Sequence, residues 1–216
     1  VQSLFKKEPD TIDWIAGFEP GAILIDVGAN VGMYTIWAAM TRGSRVFPFE
    51  PRSQNYALLN RNIARNQLGE RVIAYCASLS DKAGFGQLAL SNFMVGGSVH
   101  QFSGNAEPKA KRAAFLQGSY SSTLDILVDE GHIPVPSYVK IDVDGIEPKI
   151  VRGALKTFSN ATVKSVLIEV DTNDEKHWEM IDLMLNLGFD YEQAQVDRAQ
   201  RTDGPFKGVG NYVFRR

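Results

Sequence analysis

The sequence predicts an α/β fold: a mostly parallel sheet with helices on both faces, closed by a C-terminal antiparallel hairpin. Three observations carry this. Strand-like runs alternate with helix-like ones along most of the chain. The strand-like runs are nearly continuous in apolar residues, as expected when both faces of a sheet are covered. Finally, Gly43, Gly69 and Gly188 each follow a helix-like run, where a left-handed cap is wanted.

Taken in order, a helix over 10–17 precedes the first strand at 22–27, and further strands fall at 45–50, 72–77, 138–143 and 164–170. Helical periodicity fits 31–41, 53–66, 124–130, 148–158 and 174–187. In the fourth of these, Ile150, Val151, Ala154, Leu155 and Phe158 form one apolar stripe. The runs 189–195 and 211–215, joined by a polar, Gly-rich loop, predict the closing hairpin and bring the sheet to seven strands. Between 84 and 121 the alternation lapses. A strand-like piece at 85–90 is followed by a Gly/Ser/Asn-rich stretch containing Lys109, Lys111 and Arg112. A long irregular insertion in a compact domain is usually functional or disordered, and 91–118 is read as a lid over the site. No repeat or linker divides the chain, so 1–216 is read as one domain.

Composition narrows the function. With 216 residues and 23.9 kDa the chain can bury a substantial core. A formal charge of -2 argues against nucleic acid or an anionic membrane as the main partner, and the small basic cluster reads as a solvated face. Cys76 is the only cysteine, which excludes an internal disulfide and a cysteine-based zinc site. Lying in the apolar run 72–77, it reads as an inert core thiol. No stretch approaches the roughly 18 apolar residues of a membrane span, and the start is not a signal peptide. The chain starts at Val1 rather than Met, which leaves room for a leader removed earlier. A soluble, cytoplasmic protein is expected.

The most informative stretch is Ile23-Leu-Ile-Asp26-Val-Gly28-Ala-Asn30-Val-Gly32. A strand ends in Asp26, and the two glycines allow a tight turn into a helix. The competing reading is a dinucleotide fingerprint. It fails, because Asn30 and Met33 stand where the second and third glycines belong. An acid before the loop also suits a cationic ligand group better than a pyrophosphate. Glu50 ends the next strand-like run, where a carboxylate can accept both hydroxyls of a ribose. Asp26, the glycines and Glu50 together fit S-adenosylmethionine, whose amino group and sulfonium are cationic and whose ribose hydroxyls are free.

Three stretches carry a resemblance: Asp26-Val-Gly-Ala-Asn-Val-Gly32 with Tyr34-Thr35, then Phe49-Glu50-Pro51, then Lys140-Ile-Asp142-Val-Asp144-Gly145-Ile-Glu147. Thr123-Leu124-Asp125 and Leu167-Ile168-Glu169 add to it. On these the chain resembles the FkbM-type family of class I S-adenosylmethionine-dependent methyltransferases, from about residue 20 to 170. The family more often has Glu where Asp144 stands. The resemblance implies a Rossmann-like class I methyltransferase fold and O-methylation of a hydroxyl on a sugar, polyketide or other small metabolite. The cofactor-binding set is Asp26, Gly28, Asn30, Gly32, Tyr34 and Glu50, with Ser78 after the third strand. An N-methyltransferase or a non-catalytic S-adenosylmethionine-binding protein is the alternative. An amine-directed site is disfavoured, because no Asn-Pro-Pro-Tyr-type segment follows the fourth strand.

Methyl transfer asks for alignment and for a group that accepts the proton of an alcohol. Asp142, Asp144 and Glu147 are the catalytic candidates, Asp142 first, because it should face the same crevice as the Gly28 loop. Asp144 also reads as the first residue of an Asp-Gly turn, and Glu147 as a cap for the helix that Pro148 begins. Asp142 and Glu169 on adjacent strand ends raise a Mg²⁺ site, with Asp171 and Asn173 nearby, but no convincing third ligand completes it and no metal is assigned. His100, His132 and His177 are scattered and read as surface or packing residues, with His100, in the lid, the one worth mutating.

Overall fold

The computed structural model describes residues 8–90 and 115–216, together with the backbone of 101–103. The expected lid falls largely on 91–100 and 104–114, with His100 and the basic cluster, and lies outside the described residues.

Five strands form the main sheet. These are β1 (Ile23–Val27), β2 (Arg45–Phe49), β7 (Tyr138–Ile141), β8 (Ser165–Asp171) and β9 (Val209–Arg215), in the order β2-β1-β7-β8-β9. All pairs are parallel except β8 with β9. The third predicted strand reaches the β2 edge only as parallel bridges from Val72 to Val46 and from Tyr75 to Phe49. At the other edge, Asp190 makes one antiparallel bridge to Arg215. The predicted strand 189–195 is therefore corrected. Past Asp190 the chain turns into helix α8 (Gln193–Ala199), in which Gln195 and Val196 are buried and Gln195 bonds the backbone of Asn211 and Val213.

The insertion is more regular than its composition suggests. Strands β3 (Ser78–Leu79), β4 (Gly84–Leu90), β5 (Gln101–Ser103) and β6 (Phe115–Ser122) form a second sheet in the order β3-β6-β4-β5. It leans on the loop after β2: Gln117 donates to the Pro51 carbonyl at 2.7 Å and accepts from the Ser53 amide at 3.1 Å.

Helices cover both faces of the main sheet, in two cores. On one face, α1 (Pro9–Ala16) and α2 (Met33–Arg42) pack on Leu24, Tyr138, Leu167 and Val213. Phe18 stacks on Tyr138 with ring centroids 3.8 Å apart, and Trp14 donates to Ser165. On the other face, Ile25, Val139, Ile141, Val166 and Ile168 meet α5 (Glu147–Arg152), α6 (Leu155–Phe158) and α7 (Glu175–Asn186). The helix predicted over 148–158 is thus two. At the break the chain passes close to Ser80, where only glycine fits, since a Cβ at Gly153 would stand 2.1 Å from the Ser80 carbonyl oxygen, and Asp125 caps the second piece through the Lys156 and Thr157 amides. Helix α3 (Ser53–Arg65) is followed by Gln67 in the left-handed conformation, so Gly69 is not the cap, whereas Gly43 and Gly188 are left-handed as expected. Cys76 is exposed, not a core thiol, because its segment runs along the sheet edge.

Candidate functional site

The site candidates gather where β1, β2, β7 and β8 end. After Val27 the loop turns through Gly28, Asn30 and Gly32, all with positive φ, into α2. Gly28 is needed for a close approach: a Cβ there would lie 1.9 Å from the Asp142 carbonyl oxygen. The loop that begins α2 is therefore pressed against the segment carrying the catalytic candidates. The Gly28 and Ala29 amides donate to the Phe49 carbonyl, which ties the loop to the end of β2.

Glu50 follows directly. Its two carboxylate oxygens accept the Asn30 and Arg52 amides, each at 2.9 Å. Burial pushes its carboxyl up to about 7, against the pull of those amides. The Asn55 side chain also bonds this carboxylate, so a ribose hydroxyl would meet the acceptor capacity that these groups leave. The test is Glu50→Ala, expected to lower affinity for S-adenosylhomocysteine by about 2 kcal/mol, the scale of charged hydrogen bonds left unmade. Equal affinity of variant and parent in calorimetry would remove the ribose role.

Asp26 and Lys140 are register partners on β1 and β7. Both are buried, on the α2 face of the sheet, and the Thr35 hydroxyl donates to one Asp26 oxygen at 2.5 Å. The Lys140 ammonium donates to Asp142 at 2.6 Å and lies 5.1 Å from the centroid of the Tyr34 ring. Burial alone would lower the Lys140 pKa, but Asp142 and Asp26 outweigh it and hold the group above its ordinary value. Asp26 is raised by burial, with Lys140 and Thr35 opposing. Sequence reasoning placed Lys140 inside a motif without giving it a task. Its signal was the Lys-x-Asp spacing, which puts both side chains on one face of a strand.

The three catalytic candidates separate. Asp142 continues β7, with its amide bonded to the Val27 carbonyl, and is half-buried. Asp144 sits in the turn with φ 60. Glu147 is fully buried, and its carboxylate accepts the Val143 and Gly145 amides, so it holds the turn that carries Asp142 and Asp144. Burial raises it to about 7. His177, 3.7 Å from Glu147, accepts the Asp171 amide, and burial lowers its pKa. Glu169 follows the same face from β8, raised to about 8 by burial and then by Asp142 and Glu147.

Asp26, Glu50, Glu147 and Glu169 each bind a proton more tightly folded than unfolded. Their contribution to stability is therefore full below the ordinary carboxylate range and falls as pH rises toward about 7 to 8. His177 acts in the opposite sense, costing stability as pH falls through 6.5. Four groups outweigh one. The urea midpoint of the ligand-free protein is expected to fall between about pH 5 and about pH 8, and a rising midpoint would contradict this placement of the acids.

The residues fit a bound S-adenosylmethionine. Asp26 Oδ1 and Ser78 Oγ are buried polar atoms with no hydrogen-bond partner among the described residues. Tyr34 faces Lys140 and is buried. Among the described residues, no group of three or more His, Cys, Asp or Glu is placed to hold a metal ion. None of their helices is long and apolar enough to cross a membrane.

Comparison with known proteins gives a consistent result. The methyltransferase FkbM domain matches residues 26–191. The chain is 26% identical over 194 residues to the 31-O-demethyl-FK506 methyltransferase FkbM of Streptomyces tacrolimicus, covering 79% of this chain and 73% of that one. It is 28% identical over 152 residues to the hexuronic acid methyltransferase AglP of Haloferax volcanii, covering 70% of this chain but 57% of AglP. Among solved structures, the methyltransferase FkbM from Methylobacillus flagellatus KT aligns over 91% of this chain and 44% of its own, with a TM-score of 0.59 and 14% identity. Precorrin-6y C5,15-methyltransferase from Geobacter metallireducens aligns over 95% and 85%, with a TM-score of 0.53 and 11% identity. At these identities the two structures bear on the fold alone, which is that of the class I methyltransferases.

Proposed function

The chain belongs to the FkbM methyltransferase family, and on that premise we propose that it transfers a methyl group from S-adenosyl-L-methionine to a hydroxyl of a small polyhydroxylated acceptor. The observation that supports this reading is the close approach of the Gly28 loop to the Asp142 backbone, by which a donor held at the loop would lie beside an acidic segment. Support for the acceptor class comes from two relatives whose names specify a demethylated macrolide and a hexuronic acid. A sugar, sugar acid or polyketide hydroxyl shares that chemistry.

The bound donor supplies an electrophilic methyl group on a sulfonium. Asp26, Gly28, Asn30, Gly32, Tyr34, Glu50 and Ser78 are the residues assigned to hold and surround it. Asp142 meets the acceptor hydroxyl and orients it. Asp144 and Glu147 shape the turn that presents Asp142. The acceptor is neither nucleic acid nor a membrane surface, in keeping with the net charge of -2. The cytoplasm, where the donor is made, is the assigned location.

The test is transfer of a labelled methyl group from S-adenosylmethionine to a panel of hexuronic acids, neutral sugars, macrolides and amines. Label in hydroxylated members is the expected result. Label in amines alone would overturn O-methylation, and binding of the donor without transfer to any member would favour a non-catalytic binding protein.

A further inference from the structure

Asp142 has a neighbour that the catalytic assignment leaves unused. β7 and β8 run parallel with Ile141 opposite Ile168, so the next pair in that register is Asp142 and Glu169. Lys140 and Leu167 are partners two steps earlier, so Asp142 and Glu169 project from the same face as Lys140. Both acids stand at the carboxyl ends of adjacent strands, where ligands of open α/β sheets bind. Their nearest cations differ. Asp142 holds the buried Lys140 ammonium at 2.6 Å, whereas the nearest cation to Glu169 among the described residues is Arg201, 3.5 Å away and 40% exposed, with Lys140 acting from farther off. A carboxylate fixed on a buried ammonium is a weak base. One that is mostly buried, close to a second carboxylate and only loosely paired, is a stronger one.

We propose that Asp142 and Glu169 form an interacting carboxylate pair across the β7 and β8 strand ends, in which Glu169, in its ionised form, takes the proton of the acceptor hydroxyl while Asp142, pinned by Lys140, orients that hydroxyl. The inference rests on the O-methyl transfer reading above. The acceptor O–H bond breaks, and its proton goes to the Glu169 carboxylate. The oxygen's electron pair forms the bond to the methyl carbon supplied by S-adenosylmethionine, and the pair of the broken carbon–sulfur bond stays on sulfur. The groups facing Glu169 are Asp142 and Glu147, which favour its protonated form, and Arg201 and Lys140, which oppose it. Burial and the two neighbouring acids push its carboxyl up to about 8, which sets what a titration should read.

The test needs no acceptor. Protein labelled with ¹³C at the glutamate carboxyls is titrated by NMR, and the Glu169 signal is assigned by its loss in Glu169→Gln, or by its displacement in Glu169→Asp if the amide variant does not fold. The expected midpoint is about 8 in the parent protein. In Asp142→Asn it should fall by about one unit or more, because a like charge is removed while Lys140 remains. A midpoint in the ordinary carboxylate range, or one that Asp142→Asn leaves in place, would overturn the pair. Position is read with sinefungin, whose amine stands in for the sulfonium methyl. Its binding should lower the Glu169 midpoint more than binding of S-adenosylhomocysteine does. Equal midpoints with the two ligands would place Glu169 away from the transfer point. Failure of both ligands to bind would instead overturn the donor assignment, and the inference with it.

Discussion

Asp142→Asn is expected to fold, to bind S-adenosylhomocysteine as tightly as the parent, and to lose about 10² to 10⁴ in turnover. The substitution keeps size and shape, and an amide oxygen can still accept the Lys140 ammonium that Asp142 holds at 2.6 Å. It removes the charge that orients the acceptor hydroxyl and that raises the proton affinity of Glu169. Affinity for the donor should persist, because the Gly28 loop approaches Asp142 at its backbone carbonyl, which the substitution leaves in place. Turnover is measured with the best acceptor from the methyl-transfer panel, and affinity by calorimetry. Near-normal turnover would reduce Asp142 to a solvated strand end. Collapse of the parent's activity with EDTA, and its return on adding Mg²⁺, would assign the acids to a metal instead.

Lys140→Met should cost about 3 to 5 kcal/mol of stability, the scale seen when one partner of a buried ion pair is removed. Methionine fills nearly the same volume, so the loss comes from charge rather than from a cavity. Asp26, already raised by burial, would then face Asp142 across β1 and β7 with no ammonium between them. The carboxylates can escape the penalty only by taking up protons. The loss should therefore be largest near about pH 8 and shrink toward about pH 5. Urea unfolding at both values reads this out as a shift of midpoint at constant slope. A loss under about 1 kcal/mol at the higher pH would show that solvent, not Lys140, balances these acids.

Much of the site was legible in local patterns. Asp26 before a glycine turn and Glu50 at the end of the next strand are set by a few consecutive residues, and the structure places them around one loop. Less legible were the segments whose state depends on distant partners. Phe189 to Gln195 alternates well enough for a strand, yet only Asp190 bridges to Arg215, and the rest turns into a helix whose Gln195 bonds the backbone of β9. The stretch 72–77 has the composition of a buried strand, yet it lies at an edge with Cys76 exposed. A Gly/Ser-rich composition concealed a second sheet, because antiparallel pairing such as Phe85 with Tyr120 is fixed by register and not by residue type.

By itself, the sequence determined the alternating architecture, the glycine loop, the acid that ends each of the first two strands, and the turn carrying Asp142. These depend on backbone conformation and periodicity, which act over a few residues. The adjacency of Asp142 and Glu169 was expected from the order of strand ends, whereas only the tertiary structure decided that Lys140 would lie beside Asp26. Those neighbours come from different strands, and the parallel register that joins β1, β7 and β8 settles which side chains share a face. Burial then does what no local pattern can: it raises the proton affinity of acids that would be ordinary in water and makes one ammonium their common counterion.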